Sequence, residues 1–265
     1  MNALQTRQKS LAACIIACLS VLVLTNCQPS QRDSLPLVTE KQSCKLMDFT
    51  HITGEVFPIT VEIDIPAEGS QTLLDSLTDF LNEELYDFFD YGMDFHPYES
   101  LYSKDVKHLI EHYREAYAPI YFEGDSMEYE FPPSSLDIRL VAQTDTYVTF
   151  QVSTLSVGEG IEVSSGWTTF VKSDGHRLQD VISDAEMLRF YREHPEQRNN
   201  DVWEMALYRL EEYGTTDIVC NVGLLGDSLA HQYAYAPGIY ENMTYPLDTI
   251  APYLSKEAQE LIKDK

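Results

Sequence analysis

Basic residues are scarce in this chain: 18 Lys and Arg stand against 43 Asp and Glu, a formal net charge of -25 at pH 7. A phosphate backbone needs a basic footprint, so this balance argues against nucleic acid as a partner. Cysteine is sparse too, five in 265 residues. The apolar run Leu11 to Leu24 has only fourteen residues, short of the ~20 that cross a bilayer. No G-x-S-x-G elbow, phosphate loop or paired-glycine dinucleotide fingerprint occurs, and there is no internal repeat. What the chain has in quantity is acid and tyrosine, 43 and 17 residues respectively.

The N-terminus reads as an address. Arg7 and Lys9 precede the apolar run, and Leu24-Thr25-Asn26-Cys27 closes it, the order of a secretory signal. The tetrapeptide resembles the lipobox of bacterial lipoproteins, in which the cysteine is acylated after cleavage. Asn26 stands where a smaller residue is usual, and a plain signal peptide or an uncleaved anchor is the alternative. The resemblance implies a signal peptide over 1–26 and a palmitate-type lipid on Cys27 that tethers the protein to a membrane without spanning it. Gln28, by resemblance to Gram-negative sorting, implies the outer membrane. Residues 27–43 are expected to form a flexible tether, leaving 44–265 as one domain or two intertwined subdomains, 44–133 and 134–265.

Within that domain, Phe57, Ile59, Val61, Ile63 and Ile65 alternate with polar residues, the period of a half-buried strand. Pro66 and Gly69 end it, and Ser70 opens a helix to about Phe89 whose stripe is Leu73, Leu77, Phe80, Leu81 and Phe88. A second helix is expected from about Ser103 to Tyr117, stopped by Pro119. Short strands follow over 120–123 and 128–131, then 135–142, 147–154 and 167–171, the last three as an antiparallel meander. Helices are expected over 184–194 and 201–213, the latter burying Trp203, Ala206, Leu207 and Leu210. The closing stretch, Asn221 to Ser255, reads as strand, turn at Gly226-Asp227, strand, aromatic loop and helical turn. The class is α+β, an antiparallel β-sheet with helices packed on one face.

Candidate chemistry is thin. His108, Glu111 and His112 spell H-x-x-E-H, in which two histidines one helical turn apart can share zinc while the glutamate polarises water. Their arc lies opposite Val106, Leu109, Ile110, Tyr113 and Tyr117, so a solvated helix face is the competing reading. His96, His176, His194 and His231 are scattered and read as polar surface or turn residues. Cys14 and Cys18 leave with the signal; Cys44 and Cys220 are either a disulfide or two separate thiols. Tyr233, Tyr235 and Tyr240 crowd around Pro237 and Gly238, either lining a binding surface or packing on the sheet. No cofactor is implied.

Several segments resemble the RsiV-like family, known from a lysozyme-sensing anti-sigma factor and from envelope lipoproteins of unknown role. They are Leu224 to Leu254, with GLLGDSLAHQY and YPLDTIAPYLS; Asp145 to Phe150; Thr169 to Leu178; and Leu81-Asn82. Where the family carries a Gly-Gly-Ala-His turn, this chain has Val157-Gly158-Glu159-Gly160. The resemblance implies an exported, non-catalytic binding module whose acidity suits a basic protein such as lysozyme. The alternative is a zinc-dependent hydrolase built on His108, Glu111 and His112.

Overall fold

The computed structural model describes residues 35–50, 56–90, 96–121, 133–157, 161–214, 221–236 and 239–263. The signal, Cys27 and the start of the tether lie outside them. Ser34–Lys265 forms one compact unit, and among its described residues no helix is long and apolar enough to cross a membrane.

Five strands form one sheet in chain order: β1 (Val38–Thr50), β2 (Val56–Glu68), β3 (Pro133–Gln143), β4 (Tyr147–Val157) and β5 (Ile161–Val171). All neighbours are antiparallel except β2 and β3, which run parallel. The reason lies in what joins them. Between β2 and β3 come α1 (Gln71–Asp90), α2 (Tyr98–Leu101), a 3-10 turn (Val106–His108) and α3 (Leu109–Tyr121), and a helical crossover returns the chain parallel. The class is α+β, as expected, with a first sheet that is antiparallel at every join but this one.

β1 begins at Val38, so the tether expected over 27–43 ends before residue 38. Its sequence, VTEKQSCKLMDFT, shows little alternation because it is an edge strand held by backbone pairing to β2 from Val38↔Glu68 to Thr50↔Val56. Likewise α3 runs past Pro119 to Tyr121, taking in the start of the strand expected over 120–123; the rest of that piece, and the one over 128–131, lie outside the described residues.

One face of the sheet carries α1 and α3. Val61, Ile63 and Ile65 of β2 meet Leu73, Leu77, Phe80 and Leu81 of α1 and Leu109, Tyr113 and Tyr117 of α3 in a buried core. Phe80 packs edge-on to Phe170 at 5.3 Å between ring centres, a geometry the aromatic quadrupole favours.

Strands alternate sides, so the residues between those of β4 and β5 face the other way. There they meet a second sheet, β6 (Gly223–Leu224), β7 (Ser228–Ala236) and β8 (Ile239–Pro246), antiparallel throughout. α4 (Asp184–Glu193), α5 (Asn200–Tyr213), α6 (Leu247–Ile250) and α7 (Lys256–Lys263) complete a second core with it. Helices thus serve both cores rather than one face. The cores do not divide at residue 134: Leu136, Ile138 and Phe150 belong to the first, and β4 contributes Tyr147 to the second.

The join between the sheets is polar and bonded. Thr149 Oγ1 donates to the Leu224 carbonyl at 2.7 Å, the Leu224 amide donates to Thr169 Oγ1 at 3.1 Å, and the Ser165 amide donates to Gln232 Oε1 at 2.9 Å. Buried polar groups need such partners. Contact is so close at Gly223 that a Cβ there would lie 2.4 Å from Trp167 Cβ and 2.9 Å from Thr149 Cγ2. The turn after β5 is seated on α1 in a similar way. Gly175 has φ 79° and would bring a Cβ within 2.5 Å of the Thr72 carbonyl oxygen, which no other residue type tolerates.

Candidate binding surface

Among the residues singled out in the sequence, the H-x-x-E-H group is not brought together as a metal site. His108 Nδ1 sits 2.9 Å from Asp105 Oδ2, His112 Nε2 sits 2.8 Å from the Leu101 carbonyl, and Glu111 pairs with Arg114. His108 belongs to the 3-10 turn that leads directly into α3, which carries the other two. Among the described residues no group of three metal-binding side chains converges anywhere. Cys44 on β1 is a free thiol, half-buried against the first core; Cys220 lies outside the described residues.

The tyrosines of the closing stretch divide. Tyr233 is wholly buried, so it belongs to the second core and lines no surface; the Arg209 guanidinium lies over its ring at 5.6 Å. Tyr235 lies on β7 and Tyr240 on β8, with side chains outside the described residues. The reason for the burial is that β7 is the middle strand of its sheet, covered on both faces. Ala230, His231 and Gln232 are all buried in succession.

That placement also corrects the reading of His231 as a surface residue. Its ring stacks on Tyr245 at 5.6 Å, and among the described residues neither nitrogen makes a hydrogen bond of normal geometry. Burial pushes the imidazole down to about 4, opposed weakly by the Gln232 backbone, because a charged ring has no solvent there. His176 does lie at a turn. Its Nδ1 meets Asp174 Oδ1 and its Nε2 meets Glu257 Oε1, both at 2.6 Å, tying the turn after β5 to α7. The hydrogen bond to Asp174 leads in raising its pKa.

The outer face of α1 is not among the candidate residues named from the sequence. Asp75, Asp79, Glu83 and Asp87 recur every fourth residue, and at 3.6 residues per turn they stand in one ladder along the helix. Asp90 closes the helix and Glu84 lies beside the ladder, half-buried. Arg177 supplies a counter-charge, 2.6 Å from Glu83 and over the Phe80 ring at 5.3 Å. The carboxylates disturb one another all the same. Burial first, then Asp87 and Glu83, push Glu84 up to about 7 against the pull of Arg177. Burial and then Glu83 and Asp90 raise Asp87. Like charges held this close favour the protonated form.

Tyrosines flank the ladder. Tyr98 packs edge-on to Tyr86 at 5.3 Å, and Tyr102 donates to Asp79 Oδ1 at 2.7 Å. That bond, with burial, pushes the Tyr102 hydroxyl up to about 12. At its N-terminal end the ladder opens into a cleft of about 540 Å³ between the end of β2, α1 and the loop after α2. Leu74 and Val106 line it together with Asp75, Asp79, Tyr102, Lys104 and Lys107. Chemically the region is an acidic strip edged with aromatic rings, suited to ammonium and guanidinium groups. A period-four count of carboxylates along the expected helix was the signal available for it.

No protein-family model matches the chain, and no curated protein matches it. Solved structures do. A member of the DUF3298 family from Bacteroides fragilis superposes with a TM-score of 0.51 at 15% sequence identity, over 87% of this chain and 99% of that one. The chain has the fold of a DUF3298 protein. A second DUF3298 family protein, from Pseudomonas aeruginosa, gives a TM-score of 0.46 at 11% identity over 85% of this chain and 97% of that one. At such identity the DUF3298 likeness speaks for the path of the chain and not for its site residues.

Proposed function

We propose that this chain is an RsiV-like, lipid-anchored protein of the outer membrane that binds a cationic protein, lysozyme being the leading candidate, and performs no chemistry on it. The observation that carries the reading is the α1 ladder. Burial, and after it the neighbouring carboxylates, raise the pKa of Asp87 and of the adjacent Glu84, so an approaching cation relieves an existing repulsion as well as making new pairs. The excess of 43 acidic over 18 basic residues adds long-range attraction for a basic partner. The quoted RsiV-like segments and the fold shared with the DUF3298 member support the family reading, and the lipobox-like Leu24 to Cys27 supports the address.

The test is retention of lysozyme on immobilised residues 28–265. Retention at ~20 mM salt that is lost by ~0.5 M, and that falls in an Asp75→Asn, Asp79→Asn, Asp87→Asn variant, is expected from screening of surface charge. Lysozyme that runs through unretained at low salt refutes the partner. For the address, detergent-phase partitioning of the full chain is expected to disappear in Cys27→Ser; partitioning that survives refutes the lipid anchor.

A further inference from the structure

The cleft at the N-terminal end of the ladder carries charge of both signs on facing walls. α1 contributes Asp75 and Asp79, and the chain between α2 and α3 contributes Lys104 and Lys107. In a protein of net charge -25, lysines that share a cleft with two aspartates would be expected to pair with them. They do not: among the described residues no ion pair involves any of the four. Each aspartate is engaged at one oxygen only, Asp75 Oδ1 by Gln71 Nε2 and Asp79 Oδ1 by the Tyr102 hydroxyl, both at 2.7 Å. A carboxylate has two oxygens, so each keeps one to offer a ligand.

The walls are held where they stand. Asn82 of α1 is fully buried and turns both ends of its amide to Ser103 on the facing wall. Its Nδ2 donates to the Ser103 carbonyl and its Oδ1 accepts from the Ser103 amide, each at 2.9 Å. Lys104 is the next residue. Further on, Gln42 Nε2 of β1 donates to the Lys107 carbonyl at 3.0 Å. The backbone that carries both ammonium groups is therefore tied to α1 at one point and to β1 at another, and a ligand meets a site already formed.

The two walls together select the ligand. Asp75 and Asp79 repel a wholly anionic molecule, Lys104 and Lys107 repel a wholly cationic one, and a dipolar one satisfies both. Leu74 from one wall and Val106 from the other, both half-buried, favour an apolar middle. The volume of about 540 Å³ lies in the range that encloses a molecule of several residues and is larger than one free amino acid needs. We propose that this cleft binds short peptides by their free ends, the N-terminal ammonium on Asp75 and Asp79 and the C-terminal carboxylate on Lys104 and Lys107. The site shares its aspartates with the ladder but does not rest on the lysozyme reading, in which the two lysines have no part.

The probe is the tripeptide Ala-Leu-Ala, titrated calorimetrically into residues 28–265 at ~20 mM salt. Saturable binding is expected, about tenfold weaker when the peptide is N-acetylated and about tenfold weaker when it is C-amidated. Lys104→Gln/Lys107→Gln, at two exposed positions, should weaken the free peptide about tenfold and leave the amidated one as it was, because the carboxylate that the lysines hold is already gone. Should that variant lose its circular dichroism, the blocked peptides test the same pairing on the wild-type chain.

Equal affinity for the free and blocked peptides overturns the proposal, as does absence of binding or a lysine variant that binds the free peptide as wild type does. Displacement of the tripeptide by an equal concentration of 1,4-diaminobutane makes the cleft a site for cations alone and overturns it. Displacement by phosphatidylethanolamine vesicles assigns it to a lipid headgroup and does the same. Loss of lysozyme retention with tripeptide binding intact refutes only the function proposed for the ladder.

Discussion

Replacing Glu84 with glutamine reports how far burial and its acidic neighbours together oppose the Glu84 charge. The side chain is half-buried beside the ladder, and its pKa rises from 4.5 to about 7, chiefly through burial and then through Asp87 and Glu83. A carboxyl whose folded pKa lies above its unfolded one binds the extra proton in the folded state. Its ionisation therefore costs stability progressively as pH rises from about 4.5 to about 7. At ~1.4 kcal/mol per pH unit the ceiling is about 3 kcal/mol, and about 2 kcal/mol once the partly open group is allowed its solvent screening.

Glutamine keeps the shape without the charge. Glu84→Gln should thus gain about 2 kcal/mol over wild type at pH 8 relative to its difference at pH 4.5, in urea melts read by circular dichroism. Other titrating groups cancel in that difference. The same linkage reaches binding: a cationic partner on the ladder pulls the Glu84 proton off, so wild-type affinity climbs between pH 5 and 8 and the variant's does so less steeply. A stability difference that is the same at both pH values refutes the raised Glu84 pKa and removes that support from the cationic-partner reading.

The buried ring of His231 moves the opposite way. With its pKa depressed from 6.5 to about 4, it contributes stability that is complete above 6.5 and is lost as pH falls towards 4, about 3 kcal/mol in all; His231→Leu should flatten that acid limb, and an unchanged limb would show that the ring is solvated. Gly223→Ala forces a methyl within 2.4 Å of Trp167 Cβ at the join of the two sheets, and a loss of about 2 to 4 kcal/mol is expected by urea melt. A loss below about 0.5 kcal/mol would mean that the join is looser than the geometry described above.

Local periodicity carried much of this fold. The alternation of Ile59, Val61, Ile63 and Ile65 on β2 and the Leu73, Leu77, Phe80 and Leu81 stripe of α1 lead directly to buried positions, since each pattern records which side of an element meets the core. β1 was hidden because an edge strand is held by its backbone and leaves no such record in its side chains. The α1 ladder was legible as spacing, but its significance was not: that Glu84 is crowded by Asp87 and Glu83 depends on how deeply α1 is set into the sheet.

By itself, then, the sequence determined the acidity, the α+β class and the faces of the elements with one clear period. Tertiary structure decided the rest. It turned β2 and β3 parallel through a helical crossover, covered both faces of β7 so that Tyr233 and His231 became core, and rotated α5 so that Leu207 and Leu210 point outward. Periodicity says that an element has an inside; it cannot say what is packed against each side, because that depends on segments distant in the chain.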